Sequence, residues 1–259
     1  MSLDPDALHK PGRRMRKLLK KLPKRPPPED VHDFRTSSRQ FEAALAALKL
    51  KPKRTLDDVA ELRRRTGKVR DMDVLIHFAS TLHPDGEDDC AVTLLEHLGA
   101  RRRRYAKRLH ATVAKMGART RKELKKTDKK LDRAANGARA AVAVRALGHE
   151  LQRAALDRTS LHPWRLKVKE LRNMLQLAHD SDAKLVDALG AVKDAIGEWH
   201  DWEELALIAR DVLDHGARCK LLVELERTCD EKYESALDKA TRLQRGQLKA
   251  TREAAARLT

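Results

Sequence analysis

Two short stretches of the sequence carry a histidine and basic residues at spacings that place them on one side of a helix. In the first stretch these residues are His32, Arg35 and Arg39. At about 100° per residue they lie within roughly 60° of one another. Arginine offers a planar fork of donors to phosphate oxygens, and lysine or protonated histidine adds a point charge. The spacing therefore predicts a helical face that binds phosphate.

The second stretch repeats this arrangement with His162, Arg165 and Lys169, and Arg172 extends the basic face by one turn. A single histidine on a helix is usually structural or simply exposed. Two histidines, each followed by arginine three residues later and by a basic residue seven residues later, favour a binding role over that alternative.

The two stretches belong to a longer internal repeat at an offset of 130 residues. Segment 31–45 matches 161–175, and the same offset continues without a gap into the following helix. The matched pairs there are Asp57 and Asp187, Arg63 and Lys193, Gly67 and Gly197, Arg70 and His200, and Asp71 and Asp201. One register shared by two helices and their connection predicts a duplicated helical unit.

The following helix of each unit has a basic face as well. Arg63 and Arg70 are seven residues apart and share a side, as do Lys193 and His200. Gly67 and Gly197 lie between them, where a glycine lets a ligand or a neighbouring helix approach closely. From the sequence alone, either a ligand or a neighbouring helix could lie against these glycines. Asp71 and Asp201 are placed either to pair with the basic residues or to cap and solvate the helix.

The composition indicates an all-helical chain with an anionic partner. The 259 residues include 56 Lys and Arg against 39 Asp and Glu, a net charge of +17 that opposes compaction unless a polyanion neutralises it. Alanine, leucine and charged residues dominate, and aromatic residues make up only 3%. The sequence has no apolar stretch long enough to span a membrane and no signal segment, and its three cysteines are not spaced as metal ligands. These features predict a cytoplasmic protein with no cofactor, metal or membrane partner.

Proline, glycine and hydrophobic periodicity predict a series of helices. A short basic helical stretch covers 13–22, and Gly117 is expected to end or bend the helix predicted over 87–116. The remaining helices are expected over 30–50, 55–82, 87–116, 118–131, 138–157, 162–181, 182–214 and 217–258, the last as one or two helices. The strongly basic run 101–130 is expected to border the polyanion site.

The ordered motifs resemble the CHAD family, the conserved histidine α-helical domain. The family pattern is His-x-x-Arg-x-x-x-[Arg/Lys] on one helix and Gly-x-x-[Arg/His]-Asp-x-Asp on the next; both halves of this chain carry it, with Glu203 in place of the last Asp. The resemblance implies two four-helix bundles related by a pseudo-twofold axis around a basic groove or pore that binds inorganic polyphosphate. It also implies an association with polyphosphate granules for some members.

This resemblance divides the chain into a basic N-terminal extension, 1–24, a first helical repeat, 25–157, and a second, 158–259, within a single domain. Glu42 stands where the second half has Arg172, and Ser37 and Ser38 also depart from the family pattern. The first half is therefore expected to contribute less affinity than the second.

The sequence thus predicts a non-catalytic protein that binds inorganic polyphosphate. Nucleic acid is the alternative partner that the charge permits, although few aromatic residues are present for base stacking. A polyphosphate-processing enzyme is a third alternative, but the chain lacks a P-loop and a convincing acidic metal cluster. The oligomeric state is left open.

Overall fold

The protein is all-helical throughout the part that the structure describes. The computed structural model describes residues 2–82, 86, 88–135, 137–213 and 219–248. These contain eight α-helices, a π-helical turn at Gln244–Leu248 and no strand. The α-helices are α1 Pro5–Lys21, α2 Pro28–Ala47, α3 Lys53–Ala79, α4 Asp88–Ala134, α5 Gly137–Arg153, α6 Leu161–Leu175, α7 Ala183–Val212 and α8 Lys220–Leu243.

Local sequence signals explain where several helices begin. The Asp4 carboxylate accepts a hydrogen bond from the backbone N–H of Asp6, at 2.8 Å, and so caps α1. Asp182 caps α7 in the same way through the N–H groups of Lys184 and Leu185. Helix α2 opens on Pro28, whose missing N–H costs nothing in the first turn.

The expectation that Gly117 ends a helix is wrong, because α4 runs unbroken from Asp88 to Ala134. Gly117 is buried where α1 crosses α4, and an added Cβ would lie 3.3 Å from Val113 Cγ1 and 3.7 Å from the Leu19 carbonyl oxygen. The glycine therefore serves close helix packing. The interruptions expected at 83–85, Asn136 and Gly216, and the end of the last helix beyond residue 248, lie outside the described residues.

Helix α1 is packed into the body of the protein. Its apolar side, with Leu8, Met15 and Leu19, joins the core that also contains Phe34 of α2 and Leu124 of α4. His9 lies 2.7 Å from an oxygen of Asp132. The basic segment 13–22 thus belongs to a helix that docks on α2 and α4.

Two long helical pairs, α3–α4 and α7–α8, form the rest of the framework. At one end all four helices share a core that includes Leu75, Leu94, Leu205 and Leu225. A separate core joins α6, α7 and α8 around Trp199. Helix α2 packs on α6, and α3 packs on α7. These two contacts bring together the helices that carry the predicted binding residues.

Candidate functional site

The contact region of α2, α3, α6 and α7 concentrates basic side chains that act on one another electrostatically. We call this set the central cationic cluster; its members are His32, Arg35, Arg39, Arg63, Arg70, Arg165, Lys169 and Lys193. Burial, and then the charges of Arg63 and other members, lowers the pKa of Arg39. Residues from both halves of the sequence therefore share one positive field.

Arg35 and Arg165 are held in the same way, each across a glycine of the following helix. Nη1 of Arg35 donates to the carbonyl oxygen of Arg63, at 3.4 Å, and Nε of Arg165 donates to that of Lys193, at 2.9 Å. Any Cβ on Gly67 or Gly197 would overlap the guanidinium lying against it. The sequence left open whether a ligand or a neighbouring helix approaches these glycines; the structure shows an arginine side chain of the neighbouring helix there.

Two aspartates lie beside these arginines. Nη2 of Arg35 is 4.0 Å from Oδ1 of Asp71. Burial raises the pKa of Asp71, against the effect of Arg35. Burial also raises the pKa of Asp201 to about 6, although the charge of Arg165 opposes that shift. The negative charge of Asp71 on α3 adds to the upward shift in the pKa of Asp201 on α7, so the carboxylate of one helix acts on that of the other across the helix contact.

Glu204 is a further carboxylate of this region that sequence reasoning missed. Burial, and then the charge of Asp71, raises its pKa, while Arg101 of α4 lowers it. Its only signal in the sequence is its position three residues after Asp201, on the same side of α7.

Lys169 is the most perturbed cation of the central cationic cluster. Burial, and then the positive charges of Arg165, Arg39 and Arg35, lower the pKa of its ammonium group to about 7. No carboxylate is among the main influences on this group. Among its charged neighbours, cations therefore dominate the electrostatic environment of this ammonium group.

The three predicted histidines occupy different settings. His32 is exposed, with Nε2 3.4 Å from Oγ1 of Thr36, and burial together with Arg70 lowers its pKa. The rings of His162 and His200 pack with centroids 4.0 Å apart. Burial, then His200, lowers the pKa of His162 to about 4, and burial lowers that of His200. Both rings of this pair are thus neutral near neutral pH.

Several of the predicted basic residues, including members of the central cationic cluster, already have partners within the protein. Arg63 is bound by Glu42, whose Oε1 lies 3.2 Å from Nε, and Lys193 pairs with Asp194. Arg172 is held away from the cluster: its Nε donates to the Val186 carbonyl oxygen at 3.2 Å. An added Cβ at Gly190 would lie 3.2 Å from the same nitrogen, so Arg172 repeats the arginine–glycine contact as a packing element.

A cavity of about 230 Å³ opens between α2 and α6 beside the cluster. Arg39 and Lys169 line it, together with Glu42, Glu170 and the buried Asn173. This opening gives solvent access to the two cationic side chains at the crossing of the helices. A flexible anion can therefore reach them without displacing a helix.

The start of the basic run 101–130 borders this region. Nε of Arg102 is 2.5 Å from Oδ1 of Asp73, and Arg101 acts on Glu204. From Arg103 onward, most basic side chains of α4 are exposed on its solvent side. That the run as a whole borders the polyanion site stays a prediction, since only Arg101 and Arg102 are seen to act on carboxylates of this region.

Within the described ranges, no group of three or more His, Cys, Asp or Glu side chains is arranged to hold a metal ion. None of the helices in those ranges is long and apolar enough to cross a membrane. The chemistry that the arrangement offers is the binding of anions: fixed guanidinium groups and a partly buried ammonium group crowded at a helix contact.

Residues 7–210 match the CHAD domain family. No curated protein and no solved structure was found to match the chain. The family match covers most of the chain, includes both arginine–glycine contacts and begins inside α1. This chain belongs to the CHAD domain family.

Proposed function

We propose that this chain binds inorganic polyphosphate at the central cationic cluster and catalyses no reaction on it. The observation that carries the proposal is the crowding of Arg35, Arg39, Arg165 and Lys169 at one helix contact, where burial and mutual repulsion lower the pKa of Lys169 to about 7. Such crowding costs free energy in the empty protein, and a multiply charged anion would offset it.

The extent of the cluster favours a chain of phosphates over a single phosphate. It runs from the exposed His32 on α2 to Lys193 on α7. The charge of Lys193 acts on both His32 and Lys169, and that of Lys169 acts on His32. A linear polymer can contact many of these groups at once. Each added contact releases counterions and strengthens binding, as it does for nucleic acids.

We further propose that two halves related by duplication, each a four-helix unit, form a basic groove between them. The supporting observation is that the Arg35–Gly67 and Arg165–Gly197 contacts are related by the same offset of 130 residues. Each half would then supply one guanidinium group at an equivalent position.

Nucleic acid is the second candidate, since the net charge of +17 would attract any polyanion. Against it, Trp199 and Trp202 are both buried in the cores and so are removed from base stacking. Against the enzyme alternative, the two aspartates beside the arginines are engaged with those arginines, and both have raised pKa values.

Association with polyphosphate granules is the cellular role that this proposal favours.

The proposal is tested by calorimetric titration of the wild type and the double variant Arg39→Gln, Lys169→Gln with long-chain polyphosphate. These two side chains line the opening and hold no backbone group in place. We expect the variant to bind at least about tenfold more weakly. We also expect the slope of log K against log salt to fall by one to two units, at roughly 0.7 to 0.9 per phosphate contact.

A charge-matched control, Lys184→Gln with Lys239→Gln, alters two exposed lysines of α7 and α8 away from the cluster. It should bind nearly as the wild type does. Titration with a DNA duplex at matched phosphate concentration and salt completes the test. Equal affinity for both polymers, or equal losses in the variant and the control, would mean that net charge alone drives binding.

A further inference from the structure

The solvent side of α4 carries a line of basic side chains that the central cationic cluster does not use. We call it the α4 stripe; its members are Arg104, Arg108, Lys115, Lys122, Lys126 and Lys129. At about 100° per residue, all six lie within roughly 60° of one another along about 38 Å of helix. Each of the six is exposed.

The positive charge of the α4 stripe is almost unopposed. Among the described residues, only Lys126 of the six has an ion-pair partner, Glu123 at 3.0 Å. Lys107 and Lys125 flank the line and add to its charge. A helix holds these charges at fixed spacing, so their repulsion cannot be relieved by rearrangement of the backbone. A bound polyanion would relieve it.

The α4 stripe and the central cationic cluster lie on different sides of the molecule. The opposite face of α4 is buried, with Leu109, Leu124 and Leu131 against α1, α2 and α3. Helix α3 in turn directs Gly67 toward Arg35 of α2. The body of α3 and the core beneath α4 therefore separate the two cationic regions, and one can be occupied without the other.

The side chains of the α4 stripe favour a flexible phosphate chain as the occupant. Ala111 and Ala118 fill the gaps between the basic residues, and no large apolar side chain is exposed between Arg103 and Lys130. The nearest aromatic residue, Tyr105, is half-buried with the Lys68 ammonium 5.4 Å above its ring. Single-stranded nucleic acid binds by stacking on aromatic rings, and membrane-surface helices bury large apolar residues; the stripe offers neither.

From this we infer that the α4 stripe is a second binding site for inorganic polyphosphate, which makes one protein molecule bivalent and able to join two polymer chains. The inference rests on the proposed function, since it needs the central cationic cluster as the first site. A bivalent protein cross-links long chains, whereas a protein with one site only coats them.

The test compares the triple variant Lys115→Gln, Lys122→Gln, Lys129→Gln with a charge-matched control, Lys184→Gln, Lys239→Gln, Arg245→Gln. All six positions are exposed, so the fold should tolerate both sets. Light scattering of each protein mixed with long-chain polyphosphate reports cross-linking, and calorimetry with tripolyphosphate reports the central cationic cluster.

We expect the wild type and the control to scatter strongly with long chains, and the stripe variant to scatter little more than protein alone. The stripe variant should also lose about two units of salt slope toward long chains, while its affinity for tripolyphosphate stays within about twofold of the control.

Three results would overturn the inference. The first is weak scattering by the wild type, and the second is equal scattering by the stripe variant and the control. The third is a stripe variant that still binds long-chain polyphosphate as the control does and loses binding only to duplex DNA or to phosphatidylserine vesicles, measured in parallel. Failure of the proposed function would look different, because the wild type would then not bind tripolyphosphate at all.

Discussion

Gly67 and Gly197 leave the space that Arg35 and Arg165 fill. Each guanidinium lies against its glycine and donates to the backbone carbonyl oxygen that lies one turn before that glycine, in the glycine's helix. The hydrogen bond leaves other N–H groups of the fork available to an anion, and the glycine fixes where that fork lies. The position of each guanidinium is therefore set by a residue that itself carries no charge.

This arrangement predicts that Gly197→Ala weakens polyphosphate binding without destabilising the protein. The new methyl group would displace the Arg165 guanidinium, a flexible group that can move at low cost. Alanine instead of glycine inside a helix favours folding by up to about 1 kcal/mol. We expect the melting temperature to hold or rise while affinity falls by roughly fivefold to tenfold.

Gly148→Ala in α5 is the matched control, because nothing lies within 4 Å of an added Cβ there. It should show the same gain in stability and unchanged binding in calorimetry. If Gly197→Ala binds polyphosphate as tightly as Gly148→Ala does, the position of the Arg165 guanidinium does not matter for binding.

Protonation of Lys169 gives binding a definite dependence on pH. Burial and neighbouring arginines lower its pKa to about 7, so part of this group is neutral at pH 7 in the empty protein. A bound polyanion favours the charged ammonium and raises that pKa. Binding therefore takes up protons near neutral pH and tightens as the pH falls toward 6. His162, with a pKa of about 4, stays neutral over this interval, so it does not contribute to the tightening.

The measurement is calorimetry at pH 7 in two buffers with different ionisation enthalpies, which gives the number of protons taken up. Lys169→Arg keeps the charge but cannot titrate, so its proton uptake should be lower by a sizeable fraction of one proton. Any uptake that remains in Lys169→Arg should disappear with Asp201→Asn, since Asp201 has a pKa of about 6. Unchanged uptake in Lys169→Arg would assign the protons to other groups.

At the scale of helices, the sequence signals predicted starts better than ends. Helix α2 begins at Pro28 and α7 at Ala183, each within two residues of the starts expected near 30 and 182, and the Asp182 cap is local chemistry that is visible in the sequence. Gly117 looks like a break for the same local reasons, yet α4 continues through it because α1 packs there. Only knowledge of which helix covers the glycine separates these two cases, and spacing within one helix does not supply it.

The status of α1 shows the same limit. Its basic residues suggested an extension, while Met15, Leu18 and Leu19 at helical spacing were the signal that one side would be buried. The central residues were more predictable, because histidine and arginine at repeated spacing define a helix face without reference to other helices. Glu42 against Arg63, and Glu204 near Asp71, depend on distances between helices and could not be read from one helix alone.

At the scale of the whole molecule, the two halves use one position in opposite ways. In the second half, Arg172 packs against Gly190. In the first half, Glu42 takes the equivalent place and binds Arg63 at 3.0 Å, with Arg39 at 3.9 Å. An internal carboxylate would thus compete with the proposed anion for two cations of the first half, which is a physical reason to expect that half to contribute less.

Glu42→Gln should therefore tighten polyphosphate binding, because it frees Arg63 and Arg39 and removes one negative charge at the opening. We expect a gain of about fivefold in affinity, equivalent to about 1 kcal/mol, and a steeper salt dependence. Calorimetry would be compared with Glu61→Gln, which removes the same charge from a carboxylate that pairs with Arg64 and Arg65 instead. An equal gain in both variants would reflect net charge only. A gain confined to Glu42→Gln would show that this carboxylate limits the first half, and that the unequal halves arise from one residue at their contact.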